Sequence, residues 1–258
     1  MDDVLPDRLL PELMHLAVEA VRSVSELILA GFRSPSLACE RKADGTVVTR
    51  LDREAEQGIR TFLGRHQPHP WPVFGEELGD DGTPSRYRWV VDPIDGTLPF
   101  TRGLPTFGTL LALEDMQEQR SLVGVIRLHA LQEVYRAARG LGAWCGEHRL
   151  KVAAQRPVED CIVSLPLERF AAGNHASAAL PHLRCYADCY AHAMVARGAL
   201  DALAEFRLAR WDIAASEVIV EEAGGTVQIR PTPDTQGRYD CILGSPAGAD
   251  ALGQIISF

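Results

Sequence analysis

The stretch "WVVDPIDGTLPF", residues Trp89–Phe100, places two acidic side chains directly after an apolar run. The run Trp-Val-Val predicts a buried strand that ends at Asp92. Pro93 lacks a backbone N–H and favours a turn, so the carboxylates of Asp92 and Asp95 can face the same point. An alternative, purely structural interpretation is an Asp-Pro turn in which Asp95 caps the following helix.

The residues after this turn add further polar groups. The turn frees the Ile94 carbonyl to point where the two carboxylates point. Gly96 and Thr97 then begin a helix, and N–H groups at a helix start favour a bound phosphate. The Thr97 hydroxyl can also orient a water molecule. One short segment therefore predicts metal ligands, a phosphate-binding turn and a group that holds water.

Composition and charge restrict the class of protein. The 258 residues are 46% hydrophobic and 24% charged, which is ordinary for a globular protein, and the formal net charge is −9. Lys and Arg do not cluster, so a nucleic-acid partner is not expected, because a nucleic-acid surface requires a basic face. An acidic protein can still bind an anion where metal ions supply the positive charge.

The compartment is predicted from three features. No apolar stretch approaches the length of a membrane span, so no membrane association is expected. The chain opens "MDDVLPDRLL", which shows no signal peptide. The six cysteines are scattered without a Cys-x-x-Cys pair, which favours reduced, mostly buried thiols and a cytoplasmic location.

Hydrophobic periodicity gives a coarse element order. Helical spacing predicts one long helix over residues 7–31 and a second over about 50–65, and short strands with turns between them predict an antiparallel meander over 105–145. Strand and helix patterns alternate in the rest of the chain, with a loop leading into a helix at "AAGNHASAA", residues 171–179. The predicted class is α/β (α+β) with layered sheets. A weak composition shift divides the chain into an N-terminal half, 1–145, with the metal motifs, and a C-terminal half, 146–258, which completes the site in one compact unit.

Four acidic groups lie at the edges of predicted apolar elements. They are Asp52 in "VTRLD", Glu76-Glu77 in "FGEE", the Asp92–Asp95 pair, and Asp212 in "RWDIAA". Oxygen ligands of this kind suit Mg²⁺ or Mn²⁺, and no His or Cys spacing indicates zinc. Each acid also has a structural interpretation.

The structural interpretations concern helix ends above all. Asp52 completes a Thr49-x-x-Asp52 capping box, and this role is compatible with a role in the acidic site. Asp212 near a helix start is favoured by the helix dipole. Glu77 is interpreted as a supporting or surface group. Lys42 has either a solvated role or a role beside the metal site.

The chain resembles the inositol monophosphatase superfamily, the Mg²⁺-dependent, lithium-sensitive phosphatases of sugars and other small molecules. The resemblance is carried by "DGTVVTRLD", "FGEE", "WVVDPIDGT" and "WDIAASEVIVEEAGG" in the family's order and spacing, and it covers nearly the whole chain. It implies a layered αβαβα sandwich of the inositol monophosphatase / fructose-1,6-bisphosphatase type, a homodimer, and two or three Mg²⁺ ions, which Mn²⁺ can replace.

The resemblance also implies a role for each motif residue. The first metal would be held by Glu76, Asp92 and the Ile94 carbonyl, the second by Asp92, Asp95 and Asp212, and a weaker third in part by Glu76. The attacking water would be positioned and activated by Asp52, Glu76 and Thr97. The N–H groups of Gly96 and Thr97 would contact phosphate.

The segment "ADCYAHAMVARGALDALAE" resembles the histidinol-phosphate phosphatase branch of this superfamily. Histidinol phosphate carries an ammonium group, which carboxylates in the pocket would favour, and Asp188 and Glu205 are the candidates. Asp188 as a helix N-cap and Glu205 as an exposed strand-end charge are the structural alternatives. Arg207 and Arg210 either line the pocket or neutralise it. The predicted small-molecule partner is thus a phosphate ester, and histidinol phosphate is the first candidate.

Other functions remain as alternatives. The motif Arg-Trp-Asp before the last metal acid is closer to the inositol branch, so inositol-1-monophosphatase, or another sugar or nucleotide monoesterase of the superfamily, is the alternative activity. A phosphatase with an aspartyl nucleophile is disfavoured by the Asp-x-x-Asp spacing. Such an enzyme would also leave the "GEE" segment without a role. A non-catalytic metal-binding protein is disfavoured because every expected ligand is present.

Overall fold

The structure is a computed structural model that describes residues 4–35, 37–42, 45–166, 182–233 and 235–256. The predicted loop and helix at 171–179 lie outside the described residues. Elements are numbered in chain order within the described ranges. The helices are α1 (Leu10–Ser23), α2 (Ser25–Gly31), α3 (Arg50–His66), α4 (Thr97–Thr101), α5 (Asp188–Ala196), α6 (Arg210–Glu222) and α7 (Pro246–Ile256).

The strands form three sheets. They are β1 (Cys39–Arg41), β2 (Val47–Thr49), β3 (Val73–Gly75), β4 (Gly79–Asp80), β5 (Tyr87–Asp95), β6 (Gly108–Asp115), β7 (Arg120–Leu128), β8 (Glu133–Ala138), β9 (Ala143–Cys145), β10 (His148–Arg149), β11 (Ile162–Ser164), β12 (His182–Arg184), β13 (Ala202–Leu208), β14 (Thr226–Pro231) and β15 (Tyr239–Gly244). The eight-stranded sheet has the order β10-β9-β8-β7-β6-β5-β3-β4, the five-stranded sheet the order β12-β11-β13-β15-β14, and β1-β2 form a hairpin.

Helices cover both faces of the eight-stranded sheet. Its central strands β6 and β7 are buried along almost their whole length, as the continuous apolar runs in their sequences require. The helices α1, α2 and α3 share an apolar core with one face of this sheet. The helices α5 and α6 share a second core with its other face.

The middle helices also pack against the smaller sheet. Residues of β13 and β15 belong to the same core as α5 and α6, and α7 covers the outer face of the five-stranded sheet. The layers therefore run helix, sheet, helix, sheet, helix. This arrangement confirms the predicted αβαβα sandwich, and it places α6 between the two sheets.

The first helix differs from the prediction. A single helix over 7–31 is wrong: a 3₁₀ turn at Asp7–Leu9 precedes α1, and α2 follows after a break at Val24. The hydroxyls of Ser23 and Ser25 donate hydrogen bonds to the carbonyls of Ala20 and Val21. Such serine hydrogen bonds compete with the backbone hydrogen bonds of a helix. The apolar periodicity does not reveal the break, because Val24 at the break is itself buried.

Other predicted elements are confirmed. The helix expected at about 50–65 is α3, and the meander expected over 105–145 is formed by β6 to β9, which pair antiparallel in sequence order. The predicted division at 145/146 falls in the turn between β9 and β10, which pair with each other. The division into halves stays a prediction.

The cysteines and the helices bear on the predicted compartment. All six cysteines are free thiols, of which Cys39 and Cys185 are exposed. Within the described part of the chain, every helix is too short or too polar to cross a bilayer.

The contact between β7 and α6 gives a test of the packing. A Cβ added at Gly124 would lie 2.6 Å from Val218 Cγ1 and would clash with the Ala215 carbonyl oxygen. We expect Gly124→Ala to lower the free energy of unfolding by about 1–3 kcal/mol, because an overfilled core forces backbone shifts. Urea denaturation measures the change.

Gly64 in α3 is the control, because nothing lies within 4 Å of an added Cβ there. We expect Gly64→Ala to stabilise the protein by about 0.5–1 kcal/mol. Equal stability of wild type and Gly124→Ala would contradict the close packing of β7 on α6.

Candidate active site

A bulge in β5 aims two carboxylates at one point. The register between β5 and β6 shifts between Asp92 and Asp95, at the Asp-Pro-Ile-Asp turn. The Thr109 hydroxyl on β6 donates a 2.6 Å hydrogen bond to the Pro93 carbonyl. A bulge at the end of a central strand redirects side chains without ending the sheet. The purely structural alternative, with Asp95 as a helix cap, is not observed, because Gly96 is the N-cap residue of α4.

A third acid joins this pair from the start of α6. Oxygen atoms of Asp92, Asp95 and Asp212 all lie within 4.8 Å of one another. The Asp212 carboxylate also accepts a 2.7 Å hydrogen bond from the N–H of Ala209, the residue that precedes α6. The structure therefore brings together three acids that are separated along the chain.

The three acids fit a hard divalent cation. Asp92 Oδ1 is buried and has no hydrogen-bond partner among the described residues. A buried carboxylate oxygen without a partner is costly unless a cation binds it. Carboxylate oxygens at this separation are suitable ligands for Mg²⁺ or Mn²⁺.

The electrostatics of the cluster also favour the binding of a cation. Burial raises the pKa of Asp92 well above its ordinary value, and the neighbouring Glu76, Asp95 and Asp212 raise it further. Burial likewise raises the pKa of Asp95, with added repulsion from Asp188 and Asp212. The pKa of Asp212 rises to about 7, mainly through burial. The carboxylates destabilise one another as long as no cation is bound.

Glu76 lines the same pocket but is paired with a lysine. The Lys42 ammonium donates a 2.8 Å hydrogen bond to Glu76 Oε1 and a second hydrogen bond to Glu77. Burial alone would lower the pKa of Lys42, but these two carboxylates outweigh burial and raise it. Glu77, whose side chain is 3% exposed, is therefore a buried partner of Lys42 and not a surface group.

A buried acid that the motif analysis missed shapes the "GEE" segment. Glu56 in α3 accepts hydrogen bonds from the backbone N–H groups of Glu77 and Leu78 and from the Arg60 side chain. These contacts fix the turn that carries Glu76 toward the pocket. The sequence carries a signal for this position, since Glu56, Ile59 and Leu63 recur at helical spacing on the buried face of α3.

Asp52 forms the expected capping box and also contacts Thr97, while its role toward the attacking water stays a prediction. Its Oδ2 accepts a 2.8 Å hydrogen bond from the Thr49 N–H in a capping box at the start of α3. Its Oδ1 accepts a 3.2 Å hydrogen bond from the Thr97 hydroxyl, which is also 2.9 Å from the Ile94 carbonyl. Burial raises the pKa of Asp52 to about 6. Asp52 therefore connects the helix cap to the turn of β5.

Gly96 occupies a backbone conformation that requires glycine. Its φ is +77°, and an added Cβ would lie 3.0 Å from the Thr106 carbonyl oxygen and 3.3 Å from Asp188 Oδ2. The helix α4 that follows has five residues. Gly96 and Thr97 line the pocket at its start.

Asp188 and Glu205 line the same pocket, with Asp188 beside the start of α4. The backbone N–H of Asp188 donates a 3.1 Å hydrogen bond to Glu205 Oε1. Asp188 is not a helix N-cap, since Ala187 precedes α5 and makes no side-chain cap. Glu205 is 6% exposed, so the alternative of an exposed strand-end charge is wrong. Burial and the Glu205 charge raise the pKa of Asp188 to about 6.

The pocket that holds these groups has a volume of about 710 Å³. Its cationic lining residues in the described ranges are Arg41, Lys42 and Arg238. The two arginines that the sequence left open are not among them: Arg207 is exposed, and Arg210 is buried in ion pairs with glutamates of β6 and α6. They do not neutralise Asp188 and Glu205.

Two histidines were also missed. His129 Nε2 lies 2.8 Å from the Thr109 hydroxyl that holds the Pro93 carbonyl, and burial lowers the pKa of His129 to about 3, so it stays neutral. His192 lines the pocket and contacts Glu205. Neither histidine has a metal-ligand spacing, so only the folded structure identifies their neighbours.

The comparisons with known proteins agree with the fold and the site. The sequence pattern of the inositol monophosphatase family matches residues 10–252. A histidinol-phosphatase of Mycobacterium tuberculosis is 35% identical over 82% of this chain and 85% of its own length. An inositol-1-monophosphatase of Rhizobium meliloti is 33% identical over 83% of this chain and 84% of its own. The extragenic suppressor protein suhB of Bartonella henselae superposes with a TM-score of 0.85 at 28% identity, covering 95% of this chain and 98% of that protein.

The layered fold and the acidic pocket, with these relatives, define a phosphoric monoester hydrolase. The chain belongs to the inositol monophosphatase family, whose enzymes are metal-dependent.

The raised pKa of Asp212 gives a test of the cluster. The ordinary value of 3.8 applies to the unfolded chain and about 7 to the folded one. Between these values the folded state binds more protons, so the stability of the metal-free protein falls as the pH rises through this window. We expect Asp212→Asn to raise Tm in chelator at about pH 8 and to reduce the fall in Tm between about pH 5 and about pH 8. Thermal melts across this range measure both effects.

Asp250→Asn, at an exposed position of α7, is the control and should leave the pH dependence unchanged. An Asp212→Asn protein that melts below wild type in chelator at about pH 8 would show that the carboxylate is structural.

Proposed function

We propose that the protein is a Mg²⁺-dependent phosphomonoesterase whose substrate is histidinol phosphate. The observation that carries the proposal is the convergence of Asp92, Asp95 and Asp212 in a pocket that Asp188 and Glu205 also line. The first group suits divalent cations beside a phosphate, and the second suits a cationic alcohol.

The proposed metal ligands follow the family's motifs. Glu76, Asp92 and the Ile94 carbonyl would hold one ion, and Asp92, Asp95 and Asp212 a second, with Asp92 shared. Glu76 would contribute to a weaker third site, and Mn²⁺ would substitute for Mg²⁺. The unpartnered Oδ1 of Asp92 supports its shared role, because this oxygen is buried without a donor among the described residues.

The water that attacks phosphorus would be held by Thr97, Asp52 and Glu76. The Thr97 hydroxyl can donate its one proton to Asp52 Oδ1 at 3.2 Å or to the Ile94 carbonyl at 2.9 Å, and its oxygen lone pairs would then accept from a water. When bound, the ions supply the charge that lowers the pKa of water and stabilises the phosphoryl oxygens. The role of the protein residues is to orient the water for in-line displacement.

The phosphate group would lie against Gly96 and Thr97. Gly96 and Thr97 line the pocket, and the left-handed conformation of Gly96 forms the turn between β5 and α4. Asp95 and Asp92 flank this turn, so the phosphate would lie between backbone N–H groups and the metal ligands.

The leaving alcohol would contact Asp188 and Glu205. Arg207 and Arg210 do not line the pocket, although Arg41 and Arg238 do. Two carboxylates beside the alcohol favour an ammonium group, as in histidinol, over a neutral polyol. The similarity to a histidinol-phosphatase supports the same assignment. Participation in histidine biosynthesis, a cytoplasmic location and a homodimer remain predictions.

The substrate preference is tested by kcat/KM with Mg²⁺ for histidinol phosphate and for inositol 1-phosphate. We expect histidinol phosphate to be preferred by at least about tenfold, the discrimination that one charged contact provides. Preference for inositol 1-phosphate would support the alternative activity, which the similarity to an inositol-1-monophosphatase favours.

The catalytic assignment is tested by Asp95→Asn. We expect it to lower kcat by at least about a hundredfold on every ester, because a ligand of the phosphate-clamping ion is lost. Asp80→Asn, at an exposed position on β4, is the control and should retain activity. Full activity of Asp95→Asn, or turnover of wild type that persists in chelator, would contradict the metal-dependent mechanism.

A further inference from the structure

Three buried side chains form a line that ends in the pocket. Ser216 of α6 lies with its hydroxyl 2.7 Å from His192 Nδ1, and His192 Nε2 lies 2.6 Å from Glu205 Oε2. Ser216 and His192 are each 1% exposed. Asp52, Glu76 and Thr97, the groups assigned to the water, take no part in this line.

The direction of the hydrogen bonds follows from the chemistry of the groups. An ionised carboxylate only accepts, so His192 Nε2 donates to Glu205. In the neutral imidazole, Nδ1 then accepts, and the Ser216 hydroxyl donates to it. Glu205 therefore fixes the tautomer of His192, Ser216 holds the second ring nitrogen, and His192 holds one oxygen of Glu205.

The other oxygen of Glu205 is fixed by the backbone. Glu205 Oε1 accepts the Asp188 N–H, and Asp188 has φ +59°, a left-handed conformation that aspartate tolerates. Glu205 lies at the position where the β13–β15 register shifts, and Arg207 beyond it has φ +61°. Glu205 is thus held through both carboxylate oxygens at the place where the pairing of β13 with β15 becomes irregular.

We infer that His192, held by Ser216, is a positioning residue that sets the specificity of this phosphatase for the leaving alcohol by fixing the carboxylate of Glu205. The inference rests on the proposed function, because it concerns the same pocket. A carboxylate with a fixed direction binds a cationic or hydroxyl-bearing alcohol without loss of rotamer freedom, whereas an ester whose alcohol has neither group gains nothing from it.

His192→Leu tests the inference, because leucine is apolar and cannot donate to Glu205. We expect the ratio of kcat/KM for histidinol phosphate to kcat/KM for p-nitrophenyl phosphate to fall about tenfold, mainly through KM for histidinol phosphate. His192→Gln keeps an N–H donor and should restore most of the ratio. Ser216→Ala should lower it by a smaller factor, since His192 can still donate to Glu205 and loses only the hydrogen bond at Nδ1.

Tyr135→Phe is the matched control. The Tyr135 hydroxyl donates to Glu133 Oε2 at 2.7 Å, and Tyr135 is buried on β8 outside the pocket lining given by the described residues. This variant also removes a buried donor from a carboxylate, and it should leave the ratio of the two esters at the wild-type value.

The outcomes separate the inference from the proposed function. A wild-type enzyme that hydrolyses p-nitrophenyl phosphate but not histidinol phosphate overturns the proposed substrate. If wild type hydrolyses both esters and His192→Leu lowers both equally or neither, His192 has no part in specificity and the inference is wrong. A selective loss in His192→Leu that His192→Gln reverses supports it.

Discussion

The repulsion among carboxylates that are buried at one point is the constraint on which the site depends. Asp92, Asp95 and Asp212 lie within 4.8 Å of one another, and burial raises the pKa of each. Such a cluster costs folding free energy unless a divalent cation binds it. The packing of the five layers supplies the stability that offsets this cost. The stability of the fold and the affinity for cations therefore depend on each other.

The same side chains serve both the fold and the site. Asp52 caps α3 through Thr49 and accepts the Thr97 hydroxyl, while Asp212 accepts the Ala209 N–H at the start of α6. An acid at a helix start is favoured by the unpaired N–H groups there, and this holds its direction. Positions of this kind let a carboxylate be both buried and oriented before any ligand arrives.

Much of the site could be predicted from local sequence, because its signals are local. Asp92 and Asp95 follow a strong strand pattern, and Pro93 and Gly96 require a turn whatever surrounds them. The layered class and the order of elements follow from periodicity in the same way. The prediction of one long first helix was wrong, because apolar spacing does not reveal the serine hydrogen bonds on either side of Val24.

The sequence by itself determined which residues are acids at element ends, and so the class of ligand that they bind. Only the tertiary structure decided which polar groups meet: that Lys42 pairs with Glu76, that Arg210 is neutralised away from the pocket, and that His192 reaches Glu205. Local patterns depend on the chemistry of neighbours along the chain. The contacts between α5, α6 and β13 depend on how the layers pack. No local pattern encodes the distance between residues in different layers.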